Sequence, residues 1–93
     1  MPSIAEERIA RLHELAREAT REREFDRSRE YVRLARRLSE RNRCGLPREF
    51  KRFSCDTCDA YLVAGVNARV RLQNGHVVIR CDCGQIGRYP YRT

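Results

Sequence analysis

Two cysteine pairs, CDTC at 55–58 and CDCG at 81–84, constrain this chain more than any other feature. Cysteines spaced this closely hold a metal, form disulfides or run redox chemistry, and each option demands a different fold. A redox pair belongs at a helix start inside a βαβ unit, and no such pattern surrounds residues 55–58. Disulfides need an oxidising compartment. The opening, MPSIAEERIARL, lacks the apolar stretch of a secretory signal, which predicts a cytoplasmic protein with reduced thiols. A metal remains, because thiolates are soft ligands that give up their protons to zinc. Two pairs in turns, joined by a β-hairpin, are the layout of a zinc ribbon, with Cys55, Cys58, Cys81 and Cys83 around one tetrahedral ion. The second pair has one intervening residue where the first has two, so its turn must differ. A set in which Cys44 or His76 replaces one member is the alternative. Otherwise Cys44 has no assigned role, and His13 and His76 read as ordinary surface or edge residues. Asp56, Asp59 and Asp82 read as turn formers.

A chain of 93 residues with 41% apolar and 35% charged residues folds as one unit or two small pieces around a thin core. Such cores need a staple such as a metal or a partner, and they leave no room for a large enclosed active site. The formal net charge is +7, carried by nineteen Arg and a single Lys, Lys51. Arginine grips phosphate through a planar fork of donors, which points to a nucleic-acid partner. The excess is uneven: residues 1–25 hold five Arg against six Glu, whereas residues 26–43 hold seven Arg against three acids. No apolar run reaches the roughly 18 residues of a membrane span. No phosphate-binding GxxxxGK, metalloprotease His-Glu spacing or nucleophile-base combination is present, so the chain by itself does not read as an enzyme.

Ser3 with Glu6 three residues later is a capping box, and Ala5, Ile9, Leu12, Ala16 and Ala19 continue as one helical stripe. A second helix is predicted from near Asp26, as its cap, to about Arg43, with Tyr31, Leu34, Ala35 and Leu38 on its apolar face. EREFDR between them holds neither Gly nor Pro. An antiparallel helical hairpin is nevertheless expected, because each stripe then finds a neighbour. Arg29, Arg33, Arg37 and Arg41 recur every four residues, a like-charge pattern that suits phosphate, an acidic protein surface or plain solvent. Gly45 and Pro47 open a connector. In ARVRLQNGHVVIR, Asn74-Gly75 signals a hairpin turn, and alternation sends Arg69, Arg71 and Gln73 to the face opposite Ala68, Val70 and Leu72. The expected class is α+β: a two-helix region over 1–46 that binds a partner, then a zinc ribbon over 47–93.

Taken together, YVRLARRL, LPREFKRFSCDTC, LVAGVNARVR and the ending CG then RYPY resemble the protein component 4 family of archaeal ribonuclease P, which is related to a small eukaryotic subunit of that enzyme. The resemblance covers roughly residues 8 to 92. It implies two N-terminal helices and a zinc ribbon in an accessory subunit of a ribozyme that removes the 5′ leader from precursor tRNA. It also implies ribonuclease P RNA as a partner and a heterodimer with ribonuclease P protein component 1, contacted largely by the helices. The family usually has two residues inside its second cysteine pair, and alignment on CG and RYP makes Cys83 the last ligand, with Cys81 one position late. In this light Ile9, Leu12, Leu15, Val32, Leu34 and Leu38 form the partner surface. Lys51, Arg52, Arg69, Arg71, Arg80 and Arg88 are the residues expected on RNA phosphates. Tyr89 and Tyr91, close to Arg88 and Arg92, are candidates to stack on unpaired bases; the alternative is that RYPY covers the ribbon core, slightly favoured for Tyr89. A zinc-ribbon factor acting on DNA or the transcription machinery is the alternative, and YVRLARRL and RYPY favour ribonuclease P over it.

Overall fold

The computed structural model describes residues 3–90. Its elements are α1 (Ile4–Arg21), α2 (Phe25–Asn42), α3 (Arg48–Arg52), β1 (Ala68–Gln73), β2 (His76–Cys81) and β3 (Ile86–Pro90). Tyr91 and Arg92 lie outside the described residues.

The capping box opens α1 as expected. Ser3 Oγ accepts from the Glu6 amide at 3.1 Å, and the Glu6 carboxylate accepts from the Ser3 amide at 3.0 Å. Such a cap contributes about 1 kcal/mol. The chain then reverses without Gly or Pro. Arg23 adopts a left-handed φ of 62°. The Glu24 amide reaches the Ala19 carbonyl at 2.8 Å and the Arg23 amide reaches that of Thr20 at 3.0 Å. This pair of bonds is a Schellman closure, and it decides for two helices over one. Asp26 does not cap α2: Glu24 holds the N-cap position without a side-chain hydrogen bond. Asp26 instead lies in the first turn, where it favours the helix dipole and accepts from Arg29 at 2.7 Å.

Ile9, Ala16, Ala19 and Thr20 of α1 and Ser28, Val32 and Ala35 of α2 are buried. The buried face of α2 is therefore rotated from the Tyr31–Leu34 stripe expected, and Leu34 is 44% exposed. The rotation has a polar cause. Tyr61, in the ribbon, enters the helix core and is 2% exposed, so its backbone needs partners there. Its amide donates to Ser28 Oγ at 3.0 Å, and its carbonyl accepts from Thr20 Oγ1 at 2.8 Å and from Asn67 at 2.9 Å. The two hydroxyls also bond each other at 2.8 Å. Phe50, delivered by the unanticipated short helix α3, joins the same cluster as Ile9, Val32 and Tyr61. His13 is not a surface residue: its ring stacks on Phe50 at 4.5 Å and its Nε2 lies 2.8 Å from the Tyr61 hydroxyl.

The hairpin forms at Asn74-Gly75, both with positive φ, 50° and 80°. A third strand was not anticipated: β3 pairs antiparallel with β2, so Arg88 and Tyr89 belong to the sheet, whose order is β1-β2-β3. The register places Arg69 opposite Arg80, Arg71 opposite Val78, and Val78 opposite Arg88, all on one face. The other face carries Ala68, Val70, Leu72, Ile79 and Cys81. Alternation identified the faces, but burial follows only at the cysteine end, where Cys55, Leu62, Ala68, Ile79 and Cys81 pack together. Leu72, at the far end, is 69% exposed. Among the described residues no helix is long and apolar enough to cross a membrane.

Candidate metal centre and nucleic-acid interface

Each cysteine turn is built by backbone hydrogen bonds that bring its sulfurs toward the other pair. In the first, the Asp59 amide closes on the Cys55 carbonyl at 2.9 Å, and Asp59 takes the left-handed φ of 65° that such a closure requires. The Cys58 amide points at Cys55 Sγ at 3.4 Å. In the second, Cys81 ends β2 and the Gly84 amide turns back to its carbonyl at 2.9 Å. Gly84 has φ 103°, a conformation that side chains oppose. The Cys83 amide lies 3.5 Å from Cys81 Sγ. The missing residue thus shortens the turn without removing a sulfur from the cluster.

All four sulfurs lie within 4.8 Å of one another. Cys55 and Cys83 Sγ are 3.4 Å apart, and Cys58 and Cys81 Sγ are 3.7 Å apart. Tetrahedral coordination at a metal–sulfur distance near 2.3 Å requires sulfurs about 3.8 Å apart, so the set fits one ion. Cys44 and His76 are not among them. Burial pushes the Cys55 and Cys81 thiols up, whereas the backbone hydrogen bond from Gln85 holds Cys83 down. Buried thiols this reluctant to ionise in water are stabilised as thiolates by a cation that replaces their protons.

α2 supplies a feature that sequence reasoning missed. Arg36, outside the expected arginine stripe, donates to the Cys55 carbonyl at 3.1 Å and pairs with Asp59. Arg33 reaches the other Asp59 oxygen at 2.9 Å, and Arg29 donates to the Cys58 carbonyl at 3.1 Å. The Arg33 hydrogen bond, aided by Arg36 against the effect of burial, holds the Asp59 carboxyl below the usual carboxylate range. Half of the stripe therefore serves the chain's own ribbon, and Arg37 and Arg41 remain exposed. The i, i+4, i+7 spacing of Arg29, Arg33 and Arg36, which keeps the three on one helix face, was the available signal.

Arg69, Arg71, Arg80 and Arg88 converge on one shallow concavity of the sheet, with Val78 and Ile86 among its other lining residues. Among the described residues, none of the four forms an ion pair, in contrast to Arg11, Arg17, Arg27, Arg29, Arg33 and Arg36. Arg52 and Lys51 stand apart from them. Arg52 lies over the Tyr89 ring at 5.1 Å, on the opposite face of the sheet. Lys51 borders a separate concavity with Arg36, Ser39 and Asp56. Tyr89 packs against the cluster around Ile79.

The apolar positions assigned to a partner surface divide as well. Ile9 and Val32 are 1% and 0% exposed, and their packing against Ala16, Ala35, Phe50 and Tyr61 leaves them nothing to offer a partner directly. Leu34 is exposed, and Leu12, Leu15 and Leu38 are half-buried.

Residues 8–84 match the model of the RNAse P Rpr2/Rpp21/SNM1 subunit domain. A protein named Ribonuclease P protein component 4 from Halobacterium salinarum (strain ATCC 29341 / DSM 671 / R1) is 67% identical over 91 residues, 98% of each chain. Its namesake from Methanosarcina acetivorans is 50% identical over 97% of this chain and 84% of its own. Among solved structures, a chain in a cryo-EM structure of archaeal Ribonuclease P with mature tRNA superposes with a TM-score of 0.86 at 44% identity, covering 94% of this chain and 76% of that one. The structure described as Pfu Rpp21 gives 0.64 at 40% identity, covering 94% and 99%. This chain belongs to the RNAse P Rpr2/Rpp21/SNM1 subunit family.

Proposed function

We propose that the chain is a protein subunit of ribonuclease P, the cytoplasmic ribonucleoprotein that cleaves the 5′ leader from precursor tRNA, and that its own role is accessory. The observation that carries this reading is the set of guanidinium groups of Arg69, Arg71, Arg80 and Arg88 on one sheet face, without an ion pair among the described residues, braced at one end by the four-cysteine cluster. Unpaired arginines on a rigid surface bind a folded polynucleotide through its phosphates without first breaking internal ion pairs. Lys51 and Arg52 of α3 meet RNA phosphates apart from this face, Arg52 from beside Tyr89 on the other side of the sheet. The metal is zinc, one ion per chain, held by Cys55, Cys58, Cys81 and Cys83. Zinc there has a structural role, with four protein ligands and no open position. The two-helix region of residues 1–46 presents exposed Leu34 and half-buried Leu12, Leu15 and Leu38 to ribonuclease P protein component 1, with Ile9 and Val32 in the packed core beneath. The ribbon of residues 47–93 faces the RNA.

Reconstituted cleavage of precursor tRNA, by the catalytic RNA with its other proteins, tests the reading. Adding this chain is expected to raise cleavage at limiting magnesium. No gain, together with preferential binding of duplex DNA, would overturn it in favour of a DNA-directed zinc ribbon.

A further inference from the structure

α2 backs the first ligand pair along its length. Arg36 Nη2 and Arg29 Nε take up the carbonyls of Cys55 and Cys58, each at 3.1 Å. Arg33 and Arg36 bind the two carboxylate oxygens of Asp59, the left-handed residue whose amide closes the turn. These are charge-assisted bonds between one rigid helix and a turn with no regular secondary structure of its own. They also address charge. Four thiolates around a divalent cation leave a net charge of about −2, and Asp59 adds to it. The three guanidinium groups are the opposite charges that the structure brings to this turn. Their contacts fall on atoms next to the sulfurs, which is where outer partners of a metal site act.

We propose that Arg29, Arg33 and Arg36 are positioning residues for the metal. They hold the Cys55–Asp59 turn in its ligating shape and offset the negative charge of the tetrathiolate. The helical hairpin is thereby part of the metal site, and metal retention depends on its docking. By linkage, the bound ion in turn tightens α2 against the ribbon. The proposal rests on the structural-metal reading above.

The experiment mixes the full zinc-loaded chain with excess 4-(2-pyridylazo)resorcinol and follows zinc transfer by absorbance. Arg36→Met is expected to release zinc about tenfold faster or more, since it loses bonds to both Cys55 and Asp59. Arg36→Lys, which keeps the charge but not the fork, should fall between that variant and the native chain. Arg37→Met, on the same helix without such contacts, should release at the native rate. Should Arg36→Met fail to fold, Arg33→Met, which loses the Asp59 bond alone, is expected to be about threefold faster. Release from Arg36→Met, or from Arg33→Met in its place, at the native rate would overturn the proposal. Equal acceleration in Arg37→Met would do so too, because charge alone would then be responsible. Native protein purified without zinc would sink the structural-metal reading and this one with it; native protein holding one zinc, with unaffected variants, would sink this one only.

Discussion

Environment, not identity, separates the arginines of this chain. Arg33 and Arg36 are spoken for by Asp59, and Arg17 by Glu49 and by His13 Nε2, the latter at 3.2 Å. His13 has become part of the helix–ribbon junction, and burial, then Arg17, lowers its pKa, outweighing Glu49 and Glu14. The folded chain accordingly binds this proton less readily than the unfolded one. Stability is intact above the unfolded-chain pKa of about 6.5 and declines as pH falls through it toward the lower folded value. Denaturant midpoints measured at about pH 7.5 and about pH 5.5 should differ more for the native chain than for His13→Gln. Equal losses would assign the acid sensitivity to other groups. None of this was legible around His13, because the aromatic rings that enclose it come from Phe50 and Tyr61.

At the scale of elements, the two long helices and the hairpin were legible, since capping, apolar spacing and Asn-Gly turns act within a few residues. α3 and β3 were not. A helix of five residues has no stripe to read, and β3 exists only because β2 offers it a pairing edge. The burial of Ser28 was hidden for a related reason: a hydroxyl belongs in a core only when a distant backbone needs it, here that of Tyr61. Ser28 with Val32 and Ala35 does fall on one helical face, and that spacing was the available clue. Ser28→Ala leaves the Tyr61 amide and the Thr20 hydroxyl each short of a partner inside the core. A loss of about 1 to 3 kcal/mol in unfolding free energy is expected. A midpoint within error of native would show that the helices dock without this link.

For the molecule as a whole, the arrangement is a helical hairpin and a ribbon fused through Phe50, Tyr61 and the arginines of α2, with a basic sheet face that has no ion pair among the described residues. If that face binds RNA, Arg69→Ala with Arg71→Ala should lower the slope of log affinity against log salt by about 0.7 to 0.9 for each charge removed. Zinc content and helical signal should stay unchanged, and an unaltered slope would remove both residues from the interface. The sequence alone determined the two cysteine pairs, the helical periodicities, the hairpin turn and which sheet face carries arginine, because each depends on residues close together in the chain. Tertiary structure decided which arginines remain free, which apolar positions stay on the surface and where α2 turns its buried face. Those outcomes depend on pairs such as Arg36 with Cys55 and Arg33 with Asp59, 19 and 26 residues apart, that meet only after the elements pack.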